Sequence, residues 1–258
     1  MTISWTGAAS SLVLVALAAV ISLAWRLGLE RSIVWAAVRA LVQLLLVGGV
    51  LVLLLEPGVS IWWSWLWVAA MIGYAVWTAQ RRASSIPGLI PIAALAFGAA
   101  GAVTLLVLFG LGVFPLSART LVPMAGLIVG NAMTSTVLAG RRLQEEFADK
   151  TAEIEARLAL GQSAREAARP YLRGVLRSAL TPQIETTKAT GLVFLPGAMT
   201  GLIIAGVQPI QAVLVQAVVM FLVLAAASTT TSVVALGLTR RLFTTDDRLV
   251  PLTRERTG

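Results

Sequence analysis

Seven apolar stretches, each long enough to cross a lipid bilayer, occupy most of this 258-residue chain. A membrane-spanning helix needs roughly 20 predominantly apolar residues, and Pro, Gly or charged residues mark each break between the stretches. The sequence therefore predicts an all-α, polytopic membrane protein with about seven transmembrane helices, in a single domain over residues 1–258. The predicted spans are residues 7–25, 34–55, 61–80, 89–111, 120–140, 187–206 and 210–238.

The composition supports this class and excludes several kinds of chemistry. Hydrophobic residues make up 58% of the chain and charged residues 12%, whereas soluble domains carry about 25% charge. The chain has no Cys and no His, which excludes disulfides, the usual zinc sites and imidazole catalysis. We therefore expect no metal site in this chain. The net charge of +8 could indicate a nucleic-acid partner, but the charges lie at the ends of apolar spans, where membrane orientation explains them better.

The distribution of basic residues predicts the orientation in the membrane. If the N-terminus is outside and the C-terminus inside, all but Arg119 of the twenty Lys and Arg residues lie on or near the cytoplasmic side. Such asymmetry is typical of loops that stay in the cytoplasm. The first span lacks a cationic leader and a small-residue cleavage site, so we read it as a retained helix in the cell membrane.

The one long charged interval, residues 141–186, is predicted to be a cytoplasmic loop between spans five and six. Within it, residues 153–182 show an amphipathic helical pattern that is interrupted at Gly161. Ser163 and Glu166 then have the spacing of a capping box, which starts a second helix. Two short helices outside the membrane suggest a docking element.

Polar residues inside the apolar spans are the next candidates, because polar groups in a bilayer usually face protein or water. Arg39 and Gln43 are four residues apart and share a helix face. Either Arg39 reaches the nearby cytoplasmic interface, or the two residues form a polar patch on a permeation path or subunit seam. Asn131 follows Gly126 and Gly130, a spacing that favours close helix packing. The Asn131 amide needs a hydrogen-bond partner in either case.

The sixth predicted span contains a helix-breaking pair, Pro196-Gly197, near its middle. Proline removes a helical hydrogen bond and clashes with the preceding turn, so the helix should kink or unwind there. Irregular backbone at that depth is tolerated where it is buried in protein or lines a cavity. The pair is either a structural kink or, with Met199 and Thr200 beside it, part of a substrate route.

Five motifs together resemble the FetB-type ABC transporter permeases, a family of proposed bacterial iron exporters and of membrane subunits of plant aluminium-tolerance transporters. They are Gly130–Met133, the 155–182 loop with its LALG and EAARP elements, Leu195–Gly201, Gln216–Met220 and Arg241–Thr244. The resemblance covers nearly the whole chain, and the LPGAMTG sequence is its most specific part. Ala198 and Leu202 make this stretch similar to the plant-type sequences.

The resemblance implies a permease subunit of an ATP-driven exporter, with an iron-like metal ion as one candidate substrate. A nucleotide sugar, which Arg39 and aromatic or hydroxyl side chains could bind, is the other candidate. The chain has no GxxxxGKS or GxxxxGKT sequence and only two lysines, Lys150 and Lys188, so it carries no P-loop. We expect the chain itself to be no enzyme and to hold no cofactor, with ATP and Mg²⁺ bound by a separate cytoplasmic ATPase. A homodimer with two ATPase subunits is the expected assembly.

An analogy with importer-type loops, together with the polar and helix-breaking residues of the spans, assigns roles to residues. In importer-type loops Glu and Ala precede a glycine by six and five residues, as Glu155 and Ala156 precede Gly161. The predicted ATPase-coupling residues are Glu155, Ala156, Gly161, Glu166 and Pro170. The predicted substrate-path residues are Arg39, Gln43, Asn131, Pro196, Gly197, Met199 and Thr200.

Two other classes of protein stay open as alternatives. An ion-coupled secondary transporter needs a coupling-ion site, which usually includes acidic residues at mid-membrane. All twelve Asp and Glu residues are predicted in loops or near span ends, which disfavours this class. An intramembrane enzyme is disfavoured further, because the chain offers no His, no Cys and no predicted buried carboxylate.

Overall fold

The structure, a computed structural model, describes residues 10–56, 58–83, 86, 88–192, 194–244, 246 and 248–249. The regular secondary structure in this part of the chain is helical, apart from isolated bridge pairs between Thr190 and Phe194 and between Phe243 and Leu249. The helices are α1 (Leu12–Ala24), α2 (Glu30–Leu54), α3 (Ile61–Arg82), α4 (Leu89–Gly110), α5 (Ala118–Asp149), α6 (Thr151–Ala159), α7 (Ala164–Ala189), α8 (Gly197–Ile204) and α9 (Pro209–Arg241). The chain divides into two compact units, Met1–Ser60 and Ile61–Gly258.

The first unit pairs α1 with α2. The buried Ser22 hydroxyl links the two helices, because it donates to Glu30 Oε1 at 3.0 Å and accepts the Leu29 N–H at 3.2 Å. A buried hydroxyl of this kind is stabilised only when it finds such partners. These two bonds fix the turn between the helices.

The second unit is a bundle in which α9 packs against α4, α5, α7 and α8. A glycine permits the close approach of α9 to α4. A Cβ on Gly237 of α9 would lie 2.9 Å from Cγ2 of Ile92 on α4. The α9 backbone therefore approaches α4 more closely than any larger residue would allow.

Three contacts fix the direction of α7 relative to α9. Near its beginning, Tyr171 packs edge-on against Phe147 at the end of α5, and Phe147 packs edge-on against Phe243 just beyond α9. After α7 ends, the Met199 N–H donates to Gln216 Oε1, in the first part of α9, at 3.3 Å. The chain from Tyr171 to Met199 therefore runs antiparallel to α9.

Among the described helices, α2, α4, α5 and α9 are long and apolar enough to cross a membrane. They coincide with the predicted spans 34–55, 89–111, 120–140 and 210–238, and α3 coincides with the predicted span 61–80. The helix α1 has 13 residues, and residues 7–9 of the first predicted span lie outside the described residues. The prediction of an all-α polytopic membrane protein is confirmed.

The prediction of one membrane helix over 187–206 is wrong. The helix α7 already ends at Ala189, and α8 begins only at Gly197 and has eight residues. Gly191 adopts φ +91° between them, and its N–H donates to Phe194 O at 2.9 Å. This positive φ favours glycine, and it turns the chain before Pro196 is reached.

The extent of the charged interval also differs from its prediction. The helix α5 continues to Asp149, past the predicted end of span five at residue 140. Of the two predicted short helices, α6 is short at nine residues, whereas α7 has 26 and contains both Pro170 and Pro182. The prolines do not end α7, because its packing against α5 and α9 outweighs the two lost hydrogen bonds.

Candidate functional site

The turn between α6 and α7 forms the tip of a helical hairpin, residues 151–189. Gly161 adopts φ +84° at this turn, a conformation that glycine takes without strain. Ser163 then caps α7: its Oγ accepts the Glu166 N–H at 3.4 Å, and Glu166 Oε2 accepts the Ser163 N–H at 3.1 Å and its hydroxyl at 2.8 Å. The capping box that the sequence predicts is confirmed. Hydrogen bonds from the Ser163 side chain and backbone lower the pKa of Glu166.

A polar network joins the two arms of the hairpin. The Tyr171 hydroxyl of α7 donates to Glu153 Oε2 at 3.0 Å and accepts from Arg157 Nε at 3.3 Å. Lys150 pairs with Glu153 Oε1 at 2.7 Å. The hydrogen bond from Lys150, followed by that from Tyr171, lowers the pKa of Glu153, and the same bond raises the pKa of Lys150. The relative position of α6 and α7 is thereby defined by directional bonds.

An apolar cluster attaches the hairpin to the bundle. Phe147 of α5 and Ile154 of α6 are fully buried, and Tyr171 is 7% exposed. The Phe147 ring centroid lies 6.5 Å from that of Tyr171 and 6.3 Å from that of Phe243. Edge-to-face pairs of this kind stabilise the cluster beyond what the burial of the rings contributes. The hairpin is therefore packed as one piece with the ends of α5 and α9.

The structure brings the five predicted ATPase-coupling residues onto the exposed surface of this hairpin. Glu155, Ala156, Gly161, Glu166 and Pro170 are all exposed. Sequence reasoning missed Leu160, which lies at the tip with 83% of its surface exposed. The sequence does show a leucine directly before the glycine that ends α6, but whether its side chain is exposed depends on the conformation of the turn between α6 and α7. The tip offers a partner an apolar side chain held on a rigid support.

A second structured region lies where α8 begins. Pro196 is the N-cap of α8, and the Met199 N–H in the first turn donates to Gln216 Oε1 at 3.3 Å. Gln216 is only 5% exposed. The Thr200 hydroxyl donates to Pro196 O at 3.1 Å. Gln216 thus satisfies one of the N–H groups that the start of a helix leaves unpaired.

The predicted role of Pro196-Gly197 as a kink within a helix is wrong. Pro196 has φ −63° and ψ 149°, which is extended backbone, and no helix precedes it closely because α7 ended at Ala189. Pro196 therefore removes no helical hydrogen bond. The irregular backbone that the sequence predicts is present, but it spans 190–196. Sequence reasoning missed the role of Gln216, although a glutamine in an apolar helix is itself a signal.

The remaining predicted path residues lie elsewhere. Arg39 and Gln43 are exposed residues on α2 in the first unit. Asn131 is half-buried on α5, and its Nδ2 donates to Leu127 O at 2.8 Å, which meets its predicted need for a partner. The predicted close packing holds at Gly126, where a Cβ would lie 3.2 Å from Met71 Cε, but Gly130 has open space.

Comparison with known proteins identifies relatives along nearly the whole chain. The family model described as "Uncharacterised protein family (UPF0014)" matches residues 5–243. The UPF0014 membrane protein STAR2 of Oryza sativa subsp. japonica is 39% identical over 223 residues, 86% of this chain and 77% of that protein. Protein ALUMINUM SENSITIVE 3 of Arabidopsis thaliana is 35% identical over 222 residues, 85% of this chain and 80% of that protein.

A bacterial relative carries a functional name. The probable iron export permease protein FetB of Escherichia coli is 35% identical over 236 residues, 91% of this chain and 90% of that protein. No solved structure matches the chain. The resemblance to FetB-type permeases is confirmed, and the chain belongs to the UPF0014 family of multi-pass membrane proteins.

Proposed function

We propose that this chain is the membrane permease subunit of an ATP-driven ABC exporter. The observation that carries the proposal is the α6–α7 hairpin, which presents Leu160 and the five predicted coupling residues on a rigid support. Relatives named as permease or membrane proteins support it. ATP and Mg²⁺ are bound by a separate ATPase subunit, because this sequence has no P-loop. The assembly is a homodimer with two ATPases.

The proposed topology has seven spans, the sixth interrupted between α7 and α8, with the N-terminus outside and both the hairpin tip and the C-terminus in the cytoplasm. Two arginine pairs, at residues 81–82 and 240–241, end the helices α3 and α9, and a third pair, at residues 141–142, lies about two turns before the end of α5. They gather at one end of the bundle: Arg141 Nη2 donates to Arg82 O at 2.6 Å, and the Arg241 side chain lies against Gly88. Basic residues concentrated at one end are typical of the cytoplasmic side.

Single-cysteine labelling tests this topology without background, because the chain has no native cysteine. In intact cells, we expect Ser60→Cys and Ser117→Cys to react with an impermeant thiol reagent. We expect Ser163→Cys, at the hairpin tip, to react only after the membrane is opened. Labelling in the reverse pattern would place the N-terminus inside and remove the hairpin from the cytoplasm.

Replacing Leu160 tests the docking of the ATPase. Leu160→Asp places a charge where an apolar contact is proposed, and it should abolish most co-purification of the ATPase while the permease still inserts. Leu111→Asp is the matched control: Leu111 is 76% exposed but follows α4 at the end of the bundle opposite the hairpin. Gly161→Val, strained at φ +84°, should act like Leu160→Asp. Full co-purification with both hairpin variants would reject the hairpin as the docking site.

One observation favours the alternative of an ion-coupled secondary transporter. Glu185 was predicted in a loop, but it lies within α7, a helix that packs against two candidate spans, α5 and α9. Its pairing with Lys188 at 2.9 Å favours a structural role. Reconstituted vesicles decide between the classes: the exporter moves solute only with ATPase and ATP, whereas a secondary transporter needs only an ion gradient.

The proposed substrate is one of the two candidates that follow from the sequence, an iron-like metal ion or a nucleotide sugar. No group of three or more His, Cys, Asp or Glu side chains that could hold a metal ion occurs within the described part of the chain. Stimulation of the ATPase in the reconstituted complex, measured across metal ions and nucleotide sugars, separates the two.

A further inference from the structure

One face of α7 carries regularly spaced cationic side chains that the proposed function does not use. Residues four apart lie on the same helix face, and this face presents Arg165, Arg169, Arg173, Arg177 and, after Thr181 and Glu185, Lys188. We call these five cations the α7 stripe. The arginines are all exposed, and none of them forms an ion pair within the described residues. The opposite face is buried at Ala167, Tyr171, Val175 and Ala179.

The far end of the α7 stripe lies at mid-height of the bundle. Tyr171 is level with Phe243, through the shared contact with Phe147, and α7 runs antiparallel to α9. Lys188 follows Tyr171 by seventeen residues, which is about 26 Å of helix. The same distance back from Phe243 reaches Ala226, near the middle of the candidate span Pro209–Arg241.

At this height the face cannot be in contact with lipid. The Glu185 and Lys188 side chains, which pair with each other at 2.9 Å, are 60% and 67% exposed in this chain, and charged groups at mid-membrane face protein or water. A surface groove of about 430 Å³ runs along the same face, and its lining combines the polar Arg177, Thr181, Glu185 and Lys188 with the apolar Leu176, Leu180 and Ile184. The charged and hydroxyl side chains along this groove therefore need water or polar partners.

A dry seam with a second copy does not fit the charges. A homodimer in a membrane has its two-fold axis along the membrane normal, so identical helices run parallel and equivalent residues face each other at the same height. Arg173 and Arg177 would then oppose their own copies. Like charges repel strongly in a low-dielectric seam, whereas water between them screens the repulsion.

We propose that the α7 stripe lines the water-filled route of the transporter and binds solutes through their phosphate or carboxylate groups. Guanidinium groups pair with both kinds of oxyanion through two parallel hydrogen bonds. A cationic lining attracts anions and repels bare cations, so a metal ion takes this route only within an anionic complex. The inference rests on the proposed function, and it adds the site and the charge of its ligand.

Binding is tested on the permease–ATPase complex in phosphatidylcholine nanodiscs, titrated calorimetrically with pyrophosphate and with citrate. The stripe variant Arg173→Gln/Arg177→Gln should weaken the binding of one or both probes by roughly tenfold or more, because two charge-assisted contacts are lost. The control Arg119→Gln/Arg240→Gln removes the same charge from exposed arginines outside the stripe and should change binding by no more than about twofold. Equal loss in both variants, or no saturable binding by the parent, overturns the proposal.

Thiol labelling tests the wet, cationic surface without any ligand. In the native cysteine-free chain, Thr181→Cys should react with water-soluble thiosulfonates, and faster with an anionic than with a cationic reagent of the same size. Leu106→Cys, exposed on the apolar helix α4, should not react. An unreactive Thr181→Cys would indicate a sealed seam, and faster reaction with the cationic reagent would reject an anion site.

Lipid headgroups are the other source of phosphate, so the labelling is repeated with phosphatidylglycerol vesicles. Protection of Thr181→Cys by pyrophosphate or citrate supports a solute site, whereas protection only by phosphatidylglycerol identifies a lipid site and overturns the proposal. The ATPase should still co-purify with the stripe variant. If the stripe variant co-purifies normally with the ATPase and binds anions as the parent does, the proposed role of the α7 stripe is rejected and the proposed function is not. The proposed function is tested separately, by the loss of the ATPase from Leu160→Asp.

Discussion

At the scale of single residues, two carboxylates hold the α6–α7 hairpin in its conformation. Glu153 accepts hydrogen bonds from Lys150 and Tyr171, and Glu166 accepts them from Ser163. Each carboxylate has a lowered pKa for this reason. Because the ionised form makes the bonds, the order of the hairpin is linked to pH.

The sign of this linkage determines how the hairpin responds to acid. A carboxylate whose pKa is lower in the folded state stabilises that state above its unfolded pKa, about 4.3 for glutamate. The stabilisation is lost as the pH falls through the folded pKa. Between pH 6 and pH 3, we therefore expect amide exchange in α6 and in the first turn of α7 to accelerate, after correction for its intrinsic pH dependence.

The double variant Glu153→Gln/Glu166→Gln provides the control. Neither substituted side chain can ionise, so the corrected exchange rates of α6 and of the first turn of α7 should be high at pH 6 and change little on acidification. If the parent and the variant respond equally to acid, the two carboxylates do not hold the hairpin.

At the scale of elements, Gln216 positions the short helix α8. Its side chain accepts the Met199 N–H from across the turn at 205–208. A hydrogen bond at a half-buried position contributes about 0.5–1.5 kcal/mol. Gln216→Leu should therefore speed amide exchange in α8 roughly two- to tenfold, and Gln216→Glu, which keeps an acceptor oxygen near a helix N-terminus, should not.

Gln211 supplies the matched control for this second prediction. It lies on the same helix, α9, but is exposed, so Gln211→Leu changes the same chemistry without removing the bond to Met199. Equal exchange in α8 for Gln211→Leu and Gln216→Leu would show that the Gln216 amide does not hold α8.

Elements differ in how far their sequence determines them. The capping box at Ser163 and Glu166 is local, and it was predicted correctly because both partners lie within one turn. The length of α7 was missed, because its polar face and Pro182 are typical of a loop, while the packing that stabilises it involves the distant helices α5 and α9. The bond from Met199 to Gln216 joins residues across a turn, and no periodicity encodes it.

At the scale of the whole chain, the membrane class, the helical fold and the family follow from the sequence, since apolar length is a sufficient signal for spans. The break between α7 and α8 does not follow from it, because a glycine turn at Gly191 precedes the proline that the pattern emphasises. The hairpin is packed onto the ends of α5 and α9 through Phe147 and Phe243. Force applied at Leu160 is therefore transmitted directly to two candidate spans.

The most direct test of the account is site-specific photocrosslinking from Leu160 in intact membranes. A photoreactive residue at position 160 should form one adduct, with a polypeptide that peptide mass spectrometry identifies by its own P-loop as an ABC ATPase. The same probe in place of Leu111, which is also exposed, should form none. An ATPase adduct from position 111 but not from position 160, or no ATPase adduct from either, would contradict the claim that this chain is driven by an ATPase docked on the α6–α7 hairpin.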